Sequence, residues 1–286
     1  IYIKAAWKFY DENGDNVDSR IFPLLNAIHE SGKLTKAAVE LGMSYRHVWN
    51  ILKKCTDFFG SELVELQKGK GAKLTPLGEK LLWAEQLVNA RFEPQLNSLA
   101  SELNLEIQKN LTFKEPLLRI LASHGYAVAL LPEFTNKFKL NLQYKTAEES
   151  LQALTKGECD IAAFHLPTDI VNQTLVDMHN KYFKPDTYKV IRFVTRQQGL
   201  MVKKGNPKSI QKIEDLIRAD IKFINRQDNS GTRLLIEEIF RRASVDFRQV
   251  AGFHDVEFTH SAIAAFVASG MADTGIGVET SDRQFG

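Results

Sequence analysis

The sequence predicts an α+β N-terminal domain, one long amphipathic helix, and a C-terminal α/β domain. Three observations carry this. Apolar residues recur at helical spacing between Asp18 and Phe59, and two short strand-like pieces follow around a Gly- and Lys-rich tip, "LVELQKGKGAKLTP". A single amphipathic stretch then runs from Pro76 to about Ile107. From Leu117 onward, short apolar runs alternate with helical patterns, as expected of a parallel sheet with crossover helices. The resulting boundaries are 1–75, 76–110 and 111–286.

Bulk composition narrows the class. A chain of 286 residues with 44% hydrophobic content accommodates about two domains. The net charge is +2, so a nucleic-acid surface would have to be a local patch. Cys55 and Cys159 lie far apart and give neither metal spacing nor a disulfide framework, which fits a reducing cytoplasm. No run approaches the roughly 20 apolar residues of a membrane helix. The first apolar stretch is short and interrupted by Lys4 and Lys8, unlike a signal peptide. The expected location is cytoplasmic, with no membrane partner.

The elements follow in order. Residues 1–10 alternate loosely and read as a strand, and "DENGDN" reads as a turn. Ile21, Leu24, Leu25 and Ile28 lie on one helical face. A short helix from Leu34 to Leu41 ends at Gly42, and Ser44 caps the next, which reaches about Phe59. Within "LTKAAVELGMSYRHVWNILK", Ala38 is small where two helices would cross, and Gly42 sits where the turn requires positive φ. Leu41, Val48 and Ile51 supply the apolar contacts between the helices.

This pattern is a helix-turn-helix, and its second helix presents Tyr45, Arg46, Trp49, Asn50 and Lys53 to solvent. Arg pairs with guanine, Asn with adenine, and a ring packs on a thymine methyl. Ser44 is placed to meet a phosphate. Lys68, Lys70 and Lys73 on the hairpin tip are placed as a wing over the DNA backbone. Residues 31–80 hold nine Lys/Arg against five Asp/Glu, a local +4, so the rest of the chain is net negative. An ordinary helical hairpin with solvated lysines is the competing reading; the basic wing and the long helix weigh against it.

The segment "GKLTKAAVELGMSYRHVWNILKKCTDFFGSELVELQKGKGAKLTPLGEKLL" resembles the N-terminal domain of bacterial ModE-type molybdate regulators, relatives of the LysR-type winged helix-turn-helix. The resemblance covers about residues 1–105. It implies a double-stranded DNA operator and a dimer formed by the long helix after the wing. An apolar stripe wider than one small domain covers also calls for a partner. Leu77, Leu81, Ala84 and Val88 are the stripe expected to meet a second copy, so the expected assembly is a homodimer on a palindromic site.

Four strand-to-helix loops in the C-terminal half are polar in the same way. They carry Ser123 and His124 in "ILASHGYAVALLPEF", His165 in "GECDIAAFHLP", Asn229, Ser230, Gly231, Thr232 and Arg233 in "FINRQDNSGTRLLIEEIF", and Thr259 in "EFTHSAIAAF". Helix N-termini offer unpaired N–H donors and a positive dipole end, so such loops can hold an anion. In open α/β sheets, ligands bind beyond the carboxyl ends of the strands. Each residue also has a structural reading: Ser123, Ser230 and Thr259 as helix caps, His124 and His165 as packed side chains, Arg233 as the partner of a nearby acid.

Residues 112–286 resemble the type 2 periplasmic-binding-protein fold, through "GECDIAAFHL", "RQQGLMVKKGNP", "FINRQDNSGTR" and "ASGMADTGIGVE" in that order. The resemblance implies two lobes, a ligand in the cleft between them, and "VIRFVTRQQGLMV" as the crossover. Relatives of this fold that bind molybdate and tungstate hold the oxyanion with hydroxyls and backbone N–H groups, positions that Ser123, Ser230 and Thr232 fit. ModE proteins themselves sense molybdate through small β-barrel domains, which this sequence does not show.

Catalytic signatures are not found. "NSGTR" is not GxxxxGK[ST], neither GxSxG nor HExxH occurs, and the histidines at 124, 165, 254 and 260 lack metal spacing. The expectation is a ligand-responsive DNA-binding regulator without a cofactor and not an enzyme. Its first-choice effector is molybdate or tungstate, with a small organic anion as the alternative. A solute-binding protein of a transport system is a third reading, opposed by the DNA-binding pattern and the lack of a legible signal peptide.

Overall fold

The structure is a computed structural model that describes residues 10–281 apart from 11, 15, 68–70, 111–115, 136–137, 169–172, 184–185 and 229. Two compact units meet inside one helix, between Asn89 and Ala90. Of the strand expected at 1–10, only Tyr10 lies among the described residues, where it bridges Asn16.

In the first unit, α1 (Ile21–Ser31) buries Ile21, Phe22, Leu24, Leu25, Ala27 and Ile28. α2 (Leu34–Glu40) and α3 (Tyr45–Phe59) pack on it around Ala37, Ala38, Val48, Ile51 and Cys55. The turn between them passes through Gly42 at φ 63°, and Met43 N–H donates to Ala38 O at 2.8 Å. Strands β1 (Val64–Gln67) and β2 (Gly71–Leu74) form the antiparallel hairpin, with Val64 opposite Leu74. Gly71, at φ 100°, brings the hairpin so close to the end of α1 that a Cβ there would stand 2.2 Å from Gly32 O. That same carbonyl accepts from Ala72 N–H at 2.8 Å, a backbone link that adds to the packing of Ala72 and Leu74 in the core they share with α1.

Thr75 starts the long helix: its hydroxyl accepts from Gly78 N–H at 3.1 Å and donates to Glu62 O at 2.7 Å. Pro76 follows at the first helical position, where its missing N–H removes nothing. α4 (Pro76–Lys109) has 34 residues, about 50 Å at the α-helical rise. Leu77 and Leu81, expected in an outward stripe, instead pack partly buried on the core of the first unit, because the opening turns of α4 close that core. The exposed apolar side chains of α4 are Phe92, Leu99, Leu103 and Ile107.

The second unit holds two sheets. The first has β4 (Lys139–Tyr144), β3 (Leu117–Ala122) and β5 (Ile161–Ala162), all parallel, in that order. α5 (Tyr126–Ala129) follows β3, and α6 (Ala147–Thr155) follows β4 behind a capping box in which Thr146 and Glu149 exchange hydrogen bonds. α7 (Gln173–Tyr182) follows β5; residues 188–197 carry no regular structure, and the last five residues of the expected crossover, 190–202, form the next strand.

The second sheet has the order β6 (Gln198–Val202), β9 (Thr274–Val278), β7 (Phe223–Arg226), β8 (Val256–Glu257). β7 runs parallel to both neighbours, but β6 and β9 are antiparallel, where the sequence pattern indicated only parallel pairing. Helices α8 (Gly231–Arg242) and α9 (His260–Ala268) cover it. Phe223, Ile236, Phe240 and Ile276 form one core cluster, and Met201, Ile224, Ile263 and Val267 another. α9 lies so near β9 that a Cβ on Gly275 would stand 2.4 Å from Ile263 Cγ2. Among the described residues no helix is long and apolar enough to cross a membrane.

Candidate functional site

The first unit presents a polar and aromatic helix face. Val48, Ile51, Leu52 and Cys55 turn one side of α3 into the core. Helical geometry then puts Tyr45, Arg46, Trp49, Asn50 and Lys53 on the other side, and all five are exposed. Tyr45 and Trp49 meet edge-on with centroids 6.2 Å apart, which limits the freedom of both rings. Ser44 Oγ accepts from His47 N–H at 3.1 Å and caps the helix. Lys73 is exposed on β2; Lys68 and Lys70 lie outside the described residues. Burial pushes the Cys55 thiol up to about 11, so it behaves as a small packed apolar group.

In the second unit the strand-to-helix loops converge on one cavity of about 320 Å³. Ser123, His124, His165, Ser230, Gly231, Thr232 and Thr259 all line it. The hydroxyls are partly engaged already. Ser230 Oγ accepts from Arg233 N–H at 3.1 Å as the cap of α8. Thr259 Oγ1 accepts from Ala262 N–H at 2.9 Å as the cap of α9 and donates to Ala90 O at 3.0 Å. Pro94 explains that second bond. It has no N–H for the carbonyl four residues earlier in α4, and Thr259 takes the vacant place. Gln198 Nε2 donates to Thr232 Oγ1 at 3.3 Å.

Arg233 does not line the cavity. It is buried with its guanidinium 4.3 Å from the centroid of the Phe253 ring, paired with Glu237 at 2.7 Å and Asp228 at 3.6 Å. Asn229 lies outside the described residues.

Three arginines that sequence reasoning missed line the cavity: Arg91, which is paired with Glu257, and two others, Arg196 and Arg226. Arg226 ends β7 and is 7% exposed; its Nη2 donates to Phe258 O at 2.9 Å and its Nε to Gln227 Oε1 at 3.2 Å. Among the described residues neither Arg196 nor Arg226 has an ion-pair partner. Burial, then the charge of Arg196, pulls Arg226 down to about 10, and burial also lowers Arg196. A charged residue closing the apolar run "FIN" was a legible signal for Arg226. Arg196, in an irregular segment, had none.

Three histidines surround these cations. Burial first, and the two guanidiniums second, push His124 and His165 down to about 4. His260 is held well below the usual imidazole range by burial, then by Arg226, Arg196 and the other two histidines. All three are neutral at physiological pH and offer one donor and one acceptor each. His124 meets the Tyr144 ring edge-on at 4.9 Å. Among the described residues, His260 Nδ1 and Gln198 Oε1 are buried without a hydrogen-bond partner, and no group of three or more His, Cys, Asp or Glu is placed to hold a metal ion. The arrangement suits an anion: two unmatched guanidiniums, capped helix N-termini and neutral imidazoles.

Residues 130–286 match the model of the PBP superfamily domain, and residues 20–79 match that of the bacterial regulatory helix-turn-helix proteins of the lysR family. The uncharacterized protein YvgK of Bacillus subtilis is 39% identical over 137 residues, covering 48% of this chain and 44% of that one. The molybdenum-pterin-binding protein MopB of Rhodobacter capsulatus is 29% identical over 126 residues, covering 42% and 47%. The HTH-type transcriptional activator CmpR of Synechocystis is 27% identical over 222 residues, covering 77% and 66%. The chain thus spans less than half the length of the first two relatives and just under two thirds of the third.

Proposed function

We propose a function from one premise: the chain belongs to the PBP superfamily, and its N-terminal unit carries a LysR-type helix-turn-helix. It is a ligand-responsive transcriptional regulator, a binding protein and not an enzyme. α3 reads operator DNA through Arg46 and Asn50, with Tyr45 and Trp49 against base methyls and Ser44, Lys53 and the wing lysines on phosphates. The cavity of the second unit binds a small anionic effector. The observation that carries this reading is the convergence of four strand-to-helix loops on one cavity whose two buried-side guanidiniums have no carboxylate partner among the described residues.

The first-choice effector is molybdate or tungstate. Segmental similarity to MopB supports it, as does a site rich in hydroxyl, imidazole and N–H donors. A small organic acid or phosphate ester is the second reading, favoured by the guanidinium forks, which match carboxylate and phosphate geometry. Selection of bound sequences from a random duplex library, followed by anisotropy titration with and without molybdate, tests the whole. A selected palindrome whose affinity changes with the anion supports the reading; no DNA selected, or an affinity indifferent to every anion tried, refutes it.

A further inference from the structure

We propose that the effector carries two negative charges and that Arg196 and Arg226 are the residues that select it. The inference rests on the cavity being the effector site. The charged groups that line the cavity are Arg91, Lys145, Glu149, Arg196 and Arg226. Arg91 is matched by Glu257 through a fork of hydrogen bonds. Lys145 and Glu149 line the cavity with opposite charges and cancel in its net charge. The three histidines carry no charge at neutral pH. Arg196 and Arg226 remain, a surplus of two.

The surplus is spread over both lobes. Arg226 stands at the carboxyl end of β7 in the second sheet. Arg196 reaches the loop after β3 in the first, where its Nη1 would stand 3.4 Å from a Cβ on Gly125. The charge of Arg196 adds to burial in lowering Arg226's affinity for its proton, and both guanidiniums lower that of His124, as neighbouring cationic groups in a partly dry site do. A monoanion would leave one guanidinium unmatched in that site; a dianion matches both and draws the lobes onto itself.

Molybdate and perrhenate separate charge from shape, since both are tetrahedral tetraoxo ions and differ by one charge. Calorimetric titration of the full chain is expected to show molybdate binding at least about tenfold tighter than perrhenate. Arg226→Gln and Arg196→Gln should each weaken molybdate about 10- to 100-fold and shrink the preference over perrhenate. Arg196 is the less buried of the two, so its variant reads the effect if Arg226→Gln fails to fold. Equal affinity for the two ions, or a preference unchanged in Arg196→Gln, overturns the charge rule while leaving an anion-responsive regulator standing. If neither oxyanion binds, succinate and its monomethyl ester replace them: a preference for succinate supports the rule, and equal binding overturns it. No heat with any of the four ions sinks both the rule and the effector site.

Discussion

Arg91 grips the carboxylate of Glu257, its Nε lying 2.9 Å from Oε2 and 3.0 Å from Oε1 while Nη2 also bonds Oε1. Glu257 is 1% exposed, at the end of β8, and Arg91 belongs to α4. Two residues on, Thr259 donates to the Ala90 carbonyl. These two contacts fasten α4 to the cavity rim, so a rim displaced by an effector carries that stretch of the helix with it. Removing Arg91 leaves a buried carboxylate without a partner. Arg91 is 41% exposed, so water relieves part of the loss, and Arg91→Met is expected to destabilise by about 3 kcal/mol, the low end for a broken buried pair. Urea denaturation measures it; a loss below about 1 kcal/mol contradicts the account.

Acid should weaken the second unit. His124 and His165 accept protons only near pH 4 when folded, against about 6.5 when exposed. Between those values the unfolded chain binds more protons, so stability falls as pH drops from about 6.5 towards 4 and is indifferent to these groups above pH 7. The limiting loss is about 3 kcal/mol per histidine. Denaturation midpoints at pH 7.5, 6 and 5 should therefore decline, and His165→Gln should flatten the decline. An unchanged slope in that variant would show that the buried imidazole is not its source.

The recognition helix predicts a split between two kinds of variant. Arg46→Ala or Asn50→Ala should lose about 1–3 kcal/mol at one base position, whereas Lys73→Ala should weaken all sequences alike and reduce the salt dependence. Base-by-base competition binding distinguishes them. Arg46→Ala with unaltered base preference would remove α3 from the major groove.

Assembly is expected through α4. Leu99, Leu103 and Ile107 recur every four residues and are exposed, and Phe92 stands two turns before Leu99. Leu103→Glu with Ile107→Glu should convert a dimer to a monomer in sedimentation velocity and weaken operator binding. A wild-type monomer at micromolar concentration that still occupies the operator fully would rule out this face.

Local pattern made much of this legible. The small–Gly spacing of Ala38 and Gly42, the Ser44 cap and the apolar face of α3 are near-neighbour features, and they stand as read. So does the convergence of Ser123, His124, His165, Ser230 and Thr232 on one cavity, because each follows the carboxyl end of a strand in one of the two sheets, where open α/β folds place their ligands. Three features escaped. Leu77 and Leu81 gave a stripe but not its direction, since one helix serves its own core before it serves a partner. The antiparallel β6–β9 pair depends on a chain reversal that periodicity does not encode. Arg233 looked like the cation of the site, yet Glu237 one turn later and the Phe253 ring hold it elsewhere, and the unpaired cations that do face the cavity are Arg226, seven residues earlier, and Arg196, from an irregular segment.

The central claim is that an anion in this cavity alters DNA binding. Its most direct test is operator affinity of the full chain, read by fluorescence anisotropy on a selected duplex, as molybdate is titrated from zero to saturation, with Arg196→Gln alongside. The account predicts a shift of about 5- to 150-fold at saturation, with the midpoint in Arg196→Gln displaced to higher molybdate. An operator affinity that stays constant while calorimetry shows the cavity filled would contradict it.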